Sequence, residues 1–138
     1  MKLPVPKAIL FDWDNTLIDS WAVIFDAINF TLRKFNKKHW SITETKTRVG
    51  KSLRDSFPDL FGDKWEKAAE VFYRRFEDIH ILQLKTVNGA QKMLEDILEL
   101  EISIGIVSNK RGDILRKEVC HLGSVSYTHL TLPTKRIV

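Results

Sequence analysis

The sequence predicts an α/β fold in which parallel strands form the core and a helix-rich segment is inserted between them. Two short apolar runs, residues 8–11 and 102–107, each give way at once to polar, turn-forming residues. The stretch between them carries helical periodicity, so the strands are too far apart in sequence for a hairpin and must lie parallel, joined by a crossover.

Ala8-Ile9-Leu10-Phe11 shows no polar alternation, which predicts a strand covered on both faces. Trp21, Ile24, Phe25, Ile28, Leu32 and Phe35 then recur at spacings of three and four. That is an amphipathic helix, with Asp19 and Ser20 placed to cap its start and Asn36-Lys37-Lys38 marking its end. From 41 to 62 the pattern weakens: Gly50, Pro58 and Gly62 punctuate it, and a short helix is expected over about 51–57. Trp65, Ala69, Phe72, Phe76 and Ile79 mark a stronger helix, opened by Asp63 and Glu66 in a capping-box-like arrangement and ending near His80. After Asn88 and Gly89, an amphipathic helix runs through Met93, Leu94, Ile97 and Leu98 to about Glu99. The β-branched run 102–107 follows as the second strand. Ile114, Leu115, Val119 and Leu122 define a last helix, with Gly123 suited to end it.

With 138 residues, 43% of them apolar and 29% charged, the chain has the composition of a soluble domain with room for a modest core and at most a small insertion. The formal charge of +4 is spread over helix faces with acidic residues interleaved, and no recognition motif accompanies it, which argues against nucleic acid as a partner. A single cysteine, Cys120, rules out an internal disulfide and reads as a packing residue in a reducing compartment. The start of the chain lacks the apolar region of a signal peptide, and no apolar run approaches a membrane span, so a cytoplasmic protein is expected. His39, His80, His121 and His129 are dispersed and form no zinc-ligand spacing, and His121 is expected on the surface of the last helix.

Ligands of open α/β sheets bind beyond the carboxyl ends of the strands, and the polar residues able to do chemistry collect at two such ends. The first strand delivers Asp12-Trp13-Asp14-Asn15-Thr16, in which two carboxylates one residue apart can share a cleft, one attacking or binding metal while the other handles a proton. A simple turn would use the same residue types. The second strand delivers Ser108 and Asn109.

The run from Phe11 to Ser20, with its Asp-x-Asp-x-Thr-Leu core, resembles the first signature of the haloacid dehalogenase superfamily, and the strand ending in Ser108-Asn109-Lys110 resembles the second. Val87-Asn88-Gly89-Ala90 is similar to the start of the helix before that strand, with Asn88 where Pro is usual. The resemblance covers residues 7 to 123. It implies a partial Rossmann-like core over 1–18 and 86–123, with an all-helical cap over 19–85 like that of the phosphoglycolate phosphatase branch. In that family pattern Asp12 is the nucleophile, Asp14 the acid and base, and Mg²⁺ lies between the Asp12 carboxylate and the Asp14 main-chain carbonyl. Ser108 and Asn109 donate to the phosphoryl oxygens, and Thr16 belongs to the same phosphate loop, more to hold it than to touch substrate. Asp14 selects phosphatase or phosphomutase over dehalogenase, since halide needs no proton. The substrate implied is a small phosphorylated metabolite such as 2-phosphoglycolate, with Arg48 and Lys51, near Gly50 and Arg54, as candidate cap contacts. Trp13 is expected to pack under the cap.

The chain departs from the family pattern in lacking a later lysine and a later acidic pair. Lys135 has neither the following Pro nor a strand and helix to position it, and residues 124–138 contain no acidic residue. They read as a tail foreign to the fold. With two core strands, the sheet is expected to expose an edge and apolar faces, and the chain alone to turn over little or nothing. The alternatives left open are a non-catalytic phosphate-binding protein and a β-phosphoglucomutase-like phosphomutase.

Overall fold

A computed structural model describes residues 2–49 and 53–123, without the side chain of Arg54. Gly50, Lys51 and the tail 124–138 lie outside the described residues. The chain forms two compact units, one from Met1–Asp19 with Leu84–Val138 and one from Ser20–Gln83.

In the first unit, β1 (Ala8–Phe11) pairs in parallel with β4 (Ser103–Ile106), with Ala8 beside Ser103 and Phe11 beside Ile106. A second, two-residue ladder that periodicity does not reveal joins β2 (Ile18–Asp19) antiparallel to β3 (Lys85–Thr86). Two helices follow the strands, α5 (Ala90–Glu99) and α6 (Gly112–Gly123). Ala90 and Leu94 of α5 share one buried cluster with Ile104 and Ile106 of β4, Leu115 and Val119 of α6, and Trp13, Leu17 and Ile18. This cluster is the floor under the strand ends.

β1 departs from the sequence expectation, because it alternates between exposed and half-buried positions and Leu10 keeps 68% of its surface exposed. Its only sheet neighbour among the described residues is β4, so a run suited to two covered faces has one open. Gly123 is the last residue of α6 rather than a residue beyond it. Cys120, expected to pack, is exposed on α6, and so is His121.

The second unit contains α1 (Trp21–Lys34), α2 (Ile42–Arg48), α3 (Leu53–Phe61), a 3-10 turn (Gly62–Lys64) and α4 (Trp65–Ile79). Aromatic side chains bind it together: Phe57 packs on Phe61 and Phe72 with ring centres 5.6 Å apart in both cases, and Phe72 leads on to Phe76. Helix α1 ends where the sequence indicates. Asn36 takes a left-handed conformation (φ 56°), the Asn36 N–H donates to the Arg33 carbonyl and the Lys37 N–H to the Leu32 carbonyl, the paired closure of a Schellman end. The helix starts are read less well. Ser20 makes no side-chain capping bond, and Asp63 lies in the 3-10 turn, so Lys64 precedes α4 without a side-chain cap. The capping box is instead at α2, where Ser41 Oγ accepts from the Glu44 N–H and the Glu44 carboxylate accepts from the Ser41 N–H, both at 3.1 Å. Helix α3 continues through Pro58 to Phe61. Among the described residues, no helix is long and apolar enough to cross a membrane.

Candidate active site

The parallel register brings together motifs nearly a hundred residues apart. With Phe11 beside Ile106, both strands leave the sheet at the same end, where the Val107 N–H donates to the Phe11 carbonyl at 2.9 Å. Asp12 to Asp14 and Ser108 to Lys110 therefore emerge along one edge, the position at which α/β sheets bind ligands.

A tight loop shapes the first motif. The Trp13 carbonyl accepts from the N–H groups of Thr16, Leu17 and Ile18 (3.3, 3.0 and 3.2 Å), and the Asn15 N–H donates to the Ile18 carbonyl at 2.6 Å. The turn requires a positive φ at Asn15 (60°), which asparagine tolerates better than most residues. Leu17 and Ile18 are thereby driven into the core, while Asp12 stays exposed and Asp14 half-buried. Thr16 is exposed and takes part through its main chain.

In the second motif, Ser108 Oγ accepts from the Lys110 N–H at 3.1 Å, a local turn that leaves the hydroxyl proton available for donation. Asn109 is exposed beside it. Lys110 folds back. Its Nζ lies 2.8 Å from Asp14 Oδ1 and 2.6 Å from Glu118 Oε1, and its side chain is only 9% exposed. Glu118, on α6, is 1% exposed and its Oε1 also accepts from Trp13 Nε1 at 3.0 Å. Trp13 is fully buried in the core of the α/β unit and linked to α6. The adjacent Arg111 is engaged with Asp113, with Nε–Oδ1 at 2.6 Å and the second pair at 2.7 Å. That hydrogen bond holds the Asp113 carboxyl well below the usual carboxylate range.

Lys110 and Glu118 are the functional candidates that the sequence reading passed over. Lys110 stands directly after Ser108-Asn109, well upstream of Lys135. Glu118 carried its own signal, a charge within the apolar stripe of Ile114, Leu115, Val119 and Leu122. Of the two candidate cap contacts, Arg48 is in the helical unit, its guanidinium 5.0 Å over the Trp40 ring, and Lys51 lies outside the described residues.

Asp12 and Asp14 offer oxygen ligands only, and among the described residues no group of three or more His, Cys, Asp or Glu could hold a metal ion. One or two protein oxygens, with water and phosphate oxygens completing the shell, is the donor set that suits Mg²⁺.

The family described as Haloacid dehalogenase-like hydrolase matches residues 9–136, a span that continues past Gly123 into the tail. The chain is 27% identical over 112 residues to a phosphoglycolate phosphatase of Aquifex aeolicus, covering 80% of this chain and 53% of that protein. It is 30% identical over 111 residues to the pyrophosphatase PpaX of Bacillus pumilus, covering 78% and 50%. The chain spans about half the length of the curated relatives it matches. Among solved structures, a haloacid dehalogenase-like hydrolase family protein of Streptococcus pneumoniae, SP0104, shares the fold with a TM-score of 0.80 at 19% identity, over 94% of this chain and 62% of that one. With a family match over nearly the whole sequence and both of its strand-end motifs meeting at one sheet edge, the chain belongs to the haloacid dehalogenase-like hydrolase family.

Proposed function

We propose that the site hydrolyses phosphomonoesters of small metabolites through an aspartyl phosphate on Asp12. The observation that carries the proposal is the meeting of Asp12, Asp14 and Ser108 at one strand end, with a cation, Lys110, already against Asp14. An Asp12 carboxylate oxygen attacks phosphorus in line, and the bond to the ester oxygen breaks with its electron pair as Asp14 supplies that oxygen with a proton. Water then attacks the same phosphorus, Asp14 takes up its proton, and the bond to Asp12 breaks to release orthophosphate. Ser108 and Asn109 donate hydrogen bonds to the phosphoryl oxygens, whose charge is spread in the transition state.

Mg²⁺ would be held by the Asp12 carboxylate and the Asp14 main-chain carbonyl. When bound, it offsets the repulsion between an anionic nucleophile and an anionic phosphate. We further propose that the helical unit serves as the cap that selects substrate. Two named relatives, a phosphoglycolate phosphatase and a pyrophosphatase, support small phosphorylated substrates, with 2-phosphoglycolate the first to try.

A burst experiment tests the chemistry without requiring sustained turnover. Mixed with p-nitrophenyl phosphate and Mg²⁺, the chain should release up to one p-nitrophenolate per molecule rapidly. Asp14→Asn should retain this burst, because p-nitrophenolate leaves without a proton, and Asp12→Asn should lose it. A burst that survives Asp12→Asn, or no burst from the parent, counts against the proposal.

A further inference from the structure

We propose that the helical unit carries a binding site of its own, a groove between α1 and α4 that takes a small organic anion with an apolar body, such as an aryl or acyl carboxylate. The groove uses none of the residues given to phosphoryl transfer, and the proposal does not depend on that chemistry.

The groove has a volume of about 520 Å³, inside the range of roughly 300–1,000 Å³ that suits a small molecule. Its apolar lining comes from Phe30, Phe35 and Val71, each only half-buried, so an apolar group seated there removes their remaining surface from water. The lining is preformed: Phe35 packs edge-on against buried Phe61, ring centres 5.4 Å apart. Four cations against two carboxylates, Glu70 and Asp78, make the groove positive.

The four cations are not equivalent. Arg75 is committed, its Nε 2.8 Å from Asp26 Oδ1 and its guanidinium 5.0 Å over the Phe30 ring. Arg74 meets Glu70 at 3.2 Å with both side chains mostly in solvent, a pair that contributes little. Lys34 and Lys67 are exposed, and among the described residues no carboxylate pairs with either ammonium. Lys34 lies 5.6 Å over Phe30, and an ammonium on a ring face still has N–H donors for an anion. Charge and apolar surface therefore meet at the same residues. An inorganic anion would leave Phe30, Phe35 and Val71 wet, and a neutral hydrocarbon would leave the lysines unmatched. A ligand with an acidic head and an apolar body satisfies both.

The test is titration of the isotope-labelled full chain with naphthoate, read by amide chemical shifts, with naphthalenemethanol as the neutral body and acetate as the bare head. Naphthoate should shift amides of α1 and α4 around Phe30 and Val71, naphthalenemethanol should bind several-fold more weakly, and acetate should shift none of them. The double variant K34Q/K67Q alters only exposed side chains, so its melting temperature should stay at the parent's while naphthoate affinity falls several-fold. Val71→Gln should weaken naphthoate comparably by wetting the lining. K37Q/K38Q removes two exposed charges just beyond α1 that do not line the groove, and should leave affinity unchanged. Parent-level affinity in K34Q/K67Q overturns the proposal, as does equal binding of naphthalenemethanol, which would make the groove a plain apolar patch. Loss of affinity in K37Q/K38Q equal to that in K34Q/K67Q would reduce the effect to general charge attraction and overturn it too. Shifts confined to the α/β unit, or none at all, would place no site in the groove.

Discussion

The two units of the molecule bury polar groups in different ways. In the helical unit they are largely neutral and satisfied by nearby main chain. Buried Asn29 donates to the Phe25 and Trp40 carbonyls, each at 3.1 Å, and accepts from the Trp40 N–H at 2.8 Å; Thr31 and Thr45 donate to carbonyls one turn back. Its part-buried ion pair, Asp26 with Arg75, keeps about a third of each side chain in solvent. In the α/β unit, by contrast, a carboxylate and an ammonium are buried, and their partners come from three separate places in the chain. Neutral buried groups cost little and hold a loop on a helix. Buried charges are expensive to desolvate, and these lie at the strand ends, where phosphate chemistry is proposed.

The contrast predicts unequal responses to removing one partner. Lys110→Met removes the ammonium paired with the buried Glu118 carboxylate, and should cost about 3–5 kcal/mol in urea unfolding. Asn29→Ala strips the Trp40 main chain of its partners and should cost about 1–3 kcal/mol, as a neutral network does. Equal losses at the two positions would erase the distinction between the units.

The exposed pair should respond to acid and only weakly. The Arg75 hydrogen bond holds the Asp26 carboxyl below its usual range, with burial opposing and the Arg75 charge reinforcing it. A carboxyl depressed in the folded state contributes stability that is fully present above its unfolded value and is lost as pH falls through the folded one. The contribution should thus fade below about pH 4, and amount to no more than about 1 kcal/mol given the solvent exposure. Asp26→Asn should flatten this part of the stability profile; an unchanged profile would show that the pair does not matter.

The smallest change should be a gain. Helix α5 closes with Glu101 in a left-handed conformation (φ 59°), with the Glu101 N–H donating to the Leu98 carbonyl and the Ile102 N–H to the Ile97 carbonyl. Glycine suits that position better, so Glu101→Gly should raise stability by about 0.5–1 kcal/mol, read as a higher melting temperature.

These particulars also show what a sequence discloses. The strands, the Asp12–Asp14 pair and the Asn36 helix end were legible because each rests on a local rule of period or turn chemistry. Helix α2 has a local signal in Ser41 and Glu44, but the lack of a clear apolar stripe hides it from a reading by period. The two-residue ladder of β2 and β3 carries no period to detect, and nothing in Glu101 itself announces a positive φ. Lys110 illustrates the larger gap. Its partners are Glu118, eight residues on, and Asp14, 96 residues back, the latter a proximity that the parallel register creates.

The most direct test of the account is to trap the phosphoryl group on the protein. After brief mixing with p-nitrophenyl phosphate and Mg²⁺, acid-quenched chain should carry a hydroxylamine-labile phosphoryl group that maps to Asp12 and is absent from Asp12→Asn. A label on another residue, a label that resists hydroxylamine, or no label at all would contradict it.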